Sequence, residues 1–153
     1  MKKGSPIISR PDSVLLRRMA LFRYQLRRFL RFSEHTSRAC GATPQQYQLL
    51  MGVAGFTQDG SANISELAEF LQERHNAVVG LVARAVKRGL VRKERSSDDK
   101  RIVQVSITRR GATMLLKIAR QNLRELERVK AKLPRGLKPP HPGSRANSYK
   151  REK

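Results

Sequence analysis

The chain has 153 residues, with 33 Lys and Arg against 12 Asp and Glu and a formal net charge of +21. That length suits one compact domain with a real core, and so large an excess of positive charge gathers polyanions, so nucleic acid or an acidic membrane is the expected partner, with nucleic acid set ahead of the plainer reading of a highly soluble protein without such a partner. The single cysteine, Cys40, excludes an intramolecular disulfide framework and fits a reducing cytoplasm. Lys2 and Lys3 are not followed by the apolar run of a secretory signal. The longest strongly apolar stretch, Ala77 to Ala83, is interrupted by Gly80 and too short to span a bilayer. A cytoplasmic protein with no membrane partner is expected.

The charge is uneven. Residues 1–40 hold ten Lys/Arg and two acids, and residues 134–153 hold six and one, so basic extensions flank a moderately basic centre. Residues 1–10 read as a flexible basic arm. A first helix is predicted from about Asp12 to Arg38, capped by Asp12 or Ser13. Leu15, Met19, Phe22, Leu26 and Phe29 recur at helical steps, and Arg23, Arg27 and Arg31 form a basic edge. Gly41 ends it. Thr43-Pro44-Gln45-Gln46 opens a second helix with a capping box and with Tyr47, Leu50, Met51 and Ala54 facing inward.

Asn63-Ile64-Ser65-Glu66 is another capping box, opening a third helix through Leu67, Ala68 and Leu71. After a break near Gln72, a fourth helix turns Val78, Leu81, Val82 and Ala85 inward and stops at Gly89. Two short helices on a tight turn form a helix-turn-helix pattern. Residues 90–95 and 102–107 then read as two strands, with Val103, Val105 and Ile107 on one face and the polar turn Ser96-Ser97-Asp98-Asp99-Lys100 between them. A hairpin directly after a candidate recognition helix is a wing. Thr108 caps a long last helix carrying Leu115, Ala119, Leu123, Leu126, Val129 and Leu133 at helical spacing. From Pro134 the composition is Pro-, Gly- and Lys/Arg-rich without periodicity, which predicts a disordered tail.

No catalytic constellation is present. His35, His75 and His141 are scattered and lack metal-ligand spacing, and neither a Gly-rich phosphate loop nor a nucleophile elbow occurs. No enzymatic activity, cofactor or metal is expected.

Residues 43–111 resemble the MarR family (multiple antibiotic resistance regulators). The resemblance is carried by Ile64-Ser65-Glu66-Leu67-Ala68, by Gly80-Leu81-Val82-Ala83-Arg84 and by Arg88-Gly89-Leu90-Val91. Asp99-Lys100-Arg101 follows, then five residues, Ile107-Thr108 and Gly111. The sequence departs from the family at Gln72 and Glu73, where many members have a Gly and an apolar residue. Val79 and Gly80 replace common polar types, and a basic Pro-rich tail stands where a further helix is usual. The resemblance implies a bacterial, homodimeric DNA-binding transcription regulator, often antagonised by a small ligand. The fold class it implies is mainly α with a small β-wing, a winged helix-turn-helix (41–108) between dimerisation helices (11–40 and 109–133).

Recognition helices read base edges with their N-terminal residues, while other contacts hold phosphates. Arg74, His75 and Asn76 stand there, Arg suited to guanine and Asn to adenine. Ala77 and Val79 either touch thymine methyls or pack. Arg101 is expected in the minor groove, with Lys100 and Arg95 on phosphate. Asp99 either accepts hydrogen bonds from Arg101 or Arg84, fixing the wing, or is an ordinary turn residue. The arginines of the first helix are expected on the rim of a dimer interface. Cys40, near Arg38 and His35, is either an oxidant sensor or an inert helix-end thiol. Duplex DNA, a second copy of the chain and a small-molecule effector are thus the expected partners. Two alternatives stay open: an architectural DNA-binding protein of low sequence preference, and a winged helix that binds an acidic protein.

Overall fold

A computed structural model describes residues 9–57, 60–95 and 102–133. The expected tail, the wing turn with Asp99, Lys100 and Arg101, and all but the end of the arm lie outside the described residues.

Helix α1 spans Arg10–Ala39. Its cap is Ser9, upstream of the expected Asp12 or Ser13: the Ser9 hydroxyl oxygen accepts from the Asp12 N–H at 3.4 Å. Pro11 then fits the first turn, and Asp12 sits where its charge complements the helix dipole. Gly41, at φ +82°, ends the helix in a conformation that disfavours any residue with a Cβ.

Helix α2 is Pro44–Met51, and the chain continues as a wider π-helical turn over Gly52–Phe56. Both bonds of the Thr43–Gln46 capping box form, at 3.1 Å each. The inward face is Gln46, Leu49, Leu50 and Val53 with Tyr47, whereas Met51 and Ala54, expected inside, are exposed. Gln46 is turned inward, where its Oε1 accepts from Arg88 Nη1 at 2.5 Å. The π-helical turn packs on the third helix: a Cβ on Gly52 would fall 2.8 Å from the Phe70 ring.

Strand β1 (Ser61–Asn63), which the sequence reading omits, leads directly into α3 (Ile64–Leu71). The Asn63–Glu66 capping box forms as expected, at 2.8 and 3.0 Å. Helix α4 (His75–Lys87) follows, then β2 (Val91–Arg95), β3 (Val103–Ile107) and α5 (Arg109–Lys132). The sheet is antiparallel in the order β1-β3-β2. Val105 is its fully buried centre, opposite Ala62 on one side and Lys93 on the other. One core joins α2, α3, α4 and the sheet through Leu49, Leu50, Leu67, Val82, Leu90 and Val105.

Helices α1 and α5 pack together. Ser33 meets Asn122, whose Nδ2 donates to Ser33 Oγ at 2.9 Å, and Gln25 shares a hollow with Val129, so the helices run antiparallel. Their own contact is partly polar, with Gln25, Thr36, Ser37 and Asn122 all buried. Much of the apolar stripe that the sequence places on these helices is not covered by the chain itself. Leu15 (58 %), Met19 (44 %), Leu26 (42 %), Leu123 (58 %) and Leu126 (43 %) remain exposed, while Phe22 and Phe29 are half-buried. The buried face of α5 is Leu115, Ile118, Asn122 and Val129. No described helix is long and apolar enough to cross a membrane.

Candidate nucleic-acid interface

The geometry of α4 follows from its sequence. Val78, Leu81, Val82 and Ala85 recur at three- and four-residue steps and are buried, which turns the opposite side outward. Asn76, Gly80, Ala83 and Lys87 recur at the same steps along that outward strip, and of these only Gly80 is partly covered. Arg74, His75, Ala77, Val79 and Arg84 are also exposed, Val79 at 43 %. Arg74 is the N-cap residue and its side chain makes no capping bond, so the first-turn N–H groups are not satisfied by it. A phosphate approaching this end would meet those donors and the positive end of the helix dipole.

The two flanks of α4 differ. His75 and Val79 face Ile102 and Val103 of the hairpin and residues Asn63, Ile64 and Ser65 across a groove of about 380 Å³. Ala77, Leu81 and Arg84 face Gln45 and Gln48 of α2. Arg84 therefore stands on the flank away from Ile102 and Val103, and its expected pairing with Asp99 lies outside the described residues. Arg95 is exposed at the outer end of β2, opposite Val103. Asp99, Lys100 and Arg101 lie outside the described residues. Sequence reasoning missed Ala83 and Lys87, although the helical steps from Asn76 point to both.

The orientation of α4 is held at its far end. Arg88 Nη2 donates to the Gly41 carbonyl at 2.7 Å while Nη1 holds Gln46, so the C-terminus of α4 is tied to the end of α1 and the start of α2. Gly89, at φ +67°, then turns the chain into β2. The Thr108 hydroxyl donates to the Gly89 carbonyl at 2.6 Å and accepts from the Gly111 N–H at 3.1 Å, fastening α5 to the same corner. Among the described residues no cluster of His, Cys, Asp or Glu could hold a metal.

Three helices, an exposed fourth-helix face and a sheet edge beside it define a winged helix-turn-helix. Residues 41–102 match the MarR family model, so the winged helix is of the MarR type. The fold agrees with solved structures. AbsC, a MarR family transcriptional regulator from Streptomyces coelicolor, superimposes with a TM-score of 0.67 at 18% identity, covering 85% of each chain. A mutant MarR from E. coli, complexed with operator DNA, gives 0.62 at 19% identity, over 76% of this chain and 81% of that one. Sco3205 from S. coelicolor, a MarR family transcriptional regulator in complex with DNA, gives 0.62 at 20% identity, over 82% and 77%. No curated protein matches the chain in sequence.

Proposed function

We propose that the chain is a cytoplasmic transcriptional repressor of MarR type. It acts as a homodimer that inserts α4 into the major groove of duplex DNA, and a small ligand relieves the repression. One observation carries this reading: the N-terminal half of α4 offers Arg74, His75, Asn76, Ala77 and Val79 to solvent together, beside a hairpin, while its other face anchors in the core. Arg and Asn at that place match guanine and adenine edges. Lys87, Arg84 and Arg95 fit phosphate contacts that set register. Arg101 and Lys100 are assigned to the minor groove and the backbone on sequence grounds, and Asp99 to fixing the wing. The DNA complexes of the E. coli and S. coelicolor proteins support the same use of the fold.

The exposed leucines of α1 and α5 support the dimer, because a second copy related by a two-fold axis would cover them. Two recognition helices would then lie about one DNA turn apart, which implies a palindromic site. Footprinting of the purified protein on the DNA upstream of its own gene tests the reading. Protection of a palindrome, lost in a variant with Arg74, His75 and Asn76 changed to Ala, is expected. Equal binding to a scrambled duplex would contradict it.

A further inference from the structure

The charge of this protein is not where a DNA-reading domain would be expected to keep it. Residues 41–108 hold nine Lys/Arg against seven Asp/Glu, close to balance. Helices α1 and α5 each hold eight Lys/Arg against two acids. On α1, Arg17, Arg28, Arg31 and His35 form one exposed stripe, at steps that keep a helical residue on one face. On α5, Arg110, Lys117, Arg124 and Arg128 repeat the same kind of stripe, all exposed.

The packing puts both stripes on one side. Arg28 of α1 lines the same hollow as Arg128 and Lys132 of α5, so the two basic rows flank a single groove between the antiparallel helices. Leu15, Met19, Leu26 and Leu30 of α1 and Leu123 and Leu126 of α5 lie on the other side of their helices, about 120–180° round from these rows at 100° per residue, whereas Leu21 lies beside the α1 row. The helix pair is therefore two-sided, apolar toward a second copy and basic on the back. Ion pairing neutralises little of the basic side: Glu125 meets Arg128 at 3.5 Å, while the Arg17, Arg28, Arg31, Lys117 and Arg124 side chains are absent from the salt bridges found among the described residues.

From this we infer that the back of the α1–α5 pair is a second, sequence-independent binding surface for duplex DNA, separate from the winged helix. Helix α5, with 24 residues, is about 36 Å long, close to one duplex turn. Side chains a few residues apart along it meet successive phosphates. Tyr24 is the one aromatic ring on the α1 stripe, and Arg28 already lies 5.9 Å from its centroid. A strand-stacking platform needs several free rings, so duplex is favoured over single strands. An interfacial membrane helix would need a continuous row of large apolar residues beside the cations, whereas most of them lie on the far side, with Val14, Leu21 and Tyr24 of α1 the exposed ones near the basic row. A dimer would carry two such backs, on its outer flanks, able to hold DNA that bends round from the operator or to hold a second duplex.

The test uses the full chain and a labelled random-sequence duplex, with affinity measured across a series of salt concentrations. The variant Arg28→Gln, Arg31→Gln, Arg124→Gln, Arg128→Gln should flatten the slope of log K against log salt by about 3 to 4, since each phosphate contact contributes about 0.9. The matching four-fold Arg→Lys variant should keep the wild-type slope, which separates charge loss from misfolding. The Arg74→Ala, His75→Ala, Asn76→Ala variant should lose sequence preference but keep most of the slope, so failure of base reading by α4 is distinguishable from failure of this surface. An unchanged slope in the Gln variant would overturn the inference. So would an unchanged slope accompanied by loss of binding to phosphatidylserine vesicles, which would assign the surface to membranes.

Discussion

A Cβ built on Gly111 would lie 2.0 Å from the Leu90 carbonyl oxygen, so the first turn of α5 rests directly on the backbone that leaves α4. Leu90 is fully buried, and its carbonyl also accepts from the Thr108 N–H at 3.1 Å. The corner ties α5 to the hairpin through backbone contact rather than through side chains that could repack.

Gly111→Ala should therefore force α5 off β2. Overpacking of this kind costs about 1–3 kcal/mol, and here the obstacle is backbone. The expected outcome is a lower melting temperature and weaker DNA binding in the folded fraction. Wild-type melting in thermal denaturation would show that the corner yields without cost.

Gln72 closes α3 with φ 53° and ψ 41°, the left-handed conformation that glycine adopts without strain. Its N–H and that of Glu73 still bond the Glu69 and Ala68 carbonyls. A side chain there costs about 1–2 kcal/mol, partly offset in a glycine variant by chain entropy. Gln72→Gly should stabilise the protein by about 0.5–1 kcal/mol with operator affinity unchanged. Denaturant titration checks this, and a loss of stability would mean that the Gln72 side chain holds the turn.

What the sequence made legible was what local chemistry decides. Both capping boxes, the stops at Gly41 and Gly89 and the inward row Val78, Leu81, Val82, Ala85 depend on neighbours a few residues away, and all appear as expected. The family resemblance carried the rest of the frame, and residues 41–102 match the family model. The features missed depend on distant partners. Ser61–Asn63 is a strand only because β3 offers it an edge. Gln46 is buried only because Arg88 reaches it across 42 residues. The apolar arcs of α1 and α5 were visible, yet which part their own chain covers was not, because Ser33 and Asn122 rather than leucines hold the two helices together. In the candidate interface, Ala83 and Lys87 carry no signal at the helix start, and only the three- and four-residue steps from Asn76 point to them.

The exposed leucines give the dimer a direct test. Fully burying a leucine side chain contributes about 1.5–3 kcal/mol, and each substitution acts twice in a symmetric dimer. Leu26→Glu should give a monomer in sedimentation velocity at concentrations where wild type is a dimer, with helical content retained. A variant that stays dimeric would place the interface elsewhere.

In the proposed function, α4 reads bases through its outward strip. Selection of binding sites from a random duplex library, run in parallel with wild type, Asn76→Ala and Lys87→Ala, tests it most directly. Asn76→Ala should lose preference at one position of each half-site, at a discrimination cost of about 1–3 kcal/mol, while the rest of the site persists. Lys87→Ala should weaken all sequences alike and leave the preferences unchanged. If Asn76→Ala selects the same site as wild type at every position, or if wild type selects none, α4 does not read DNA as described.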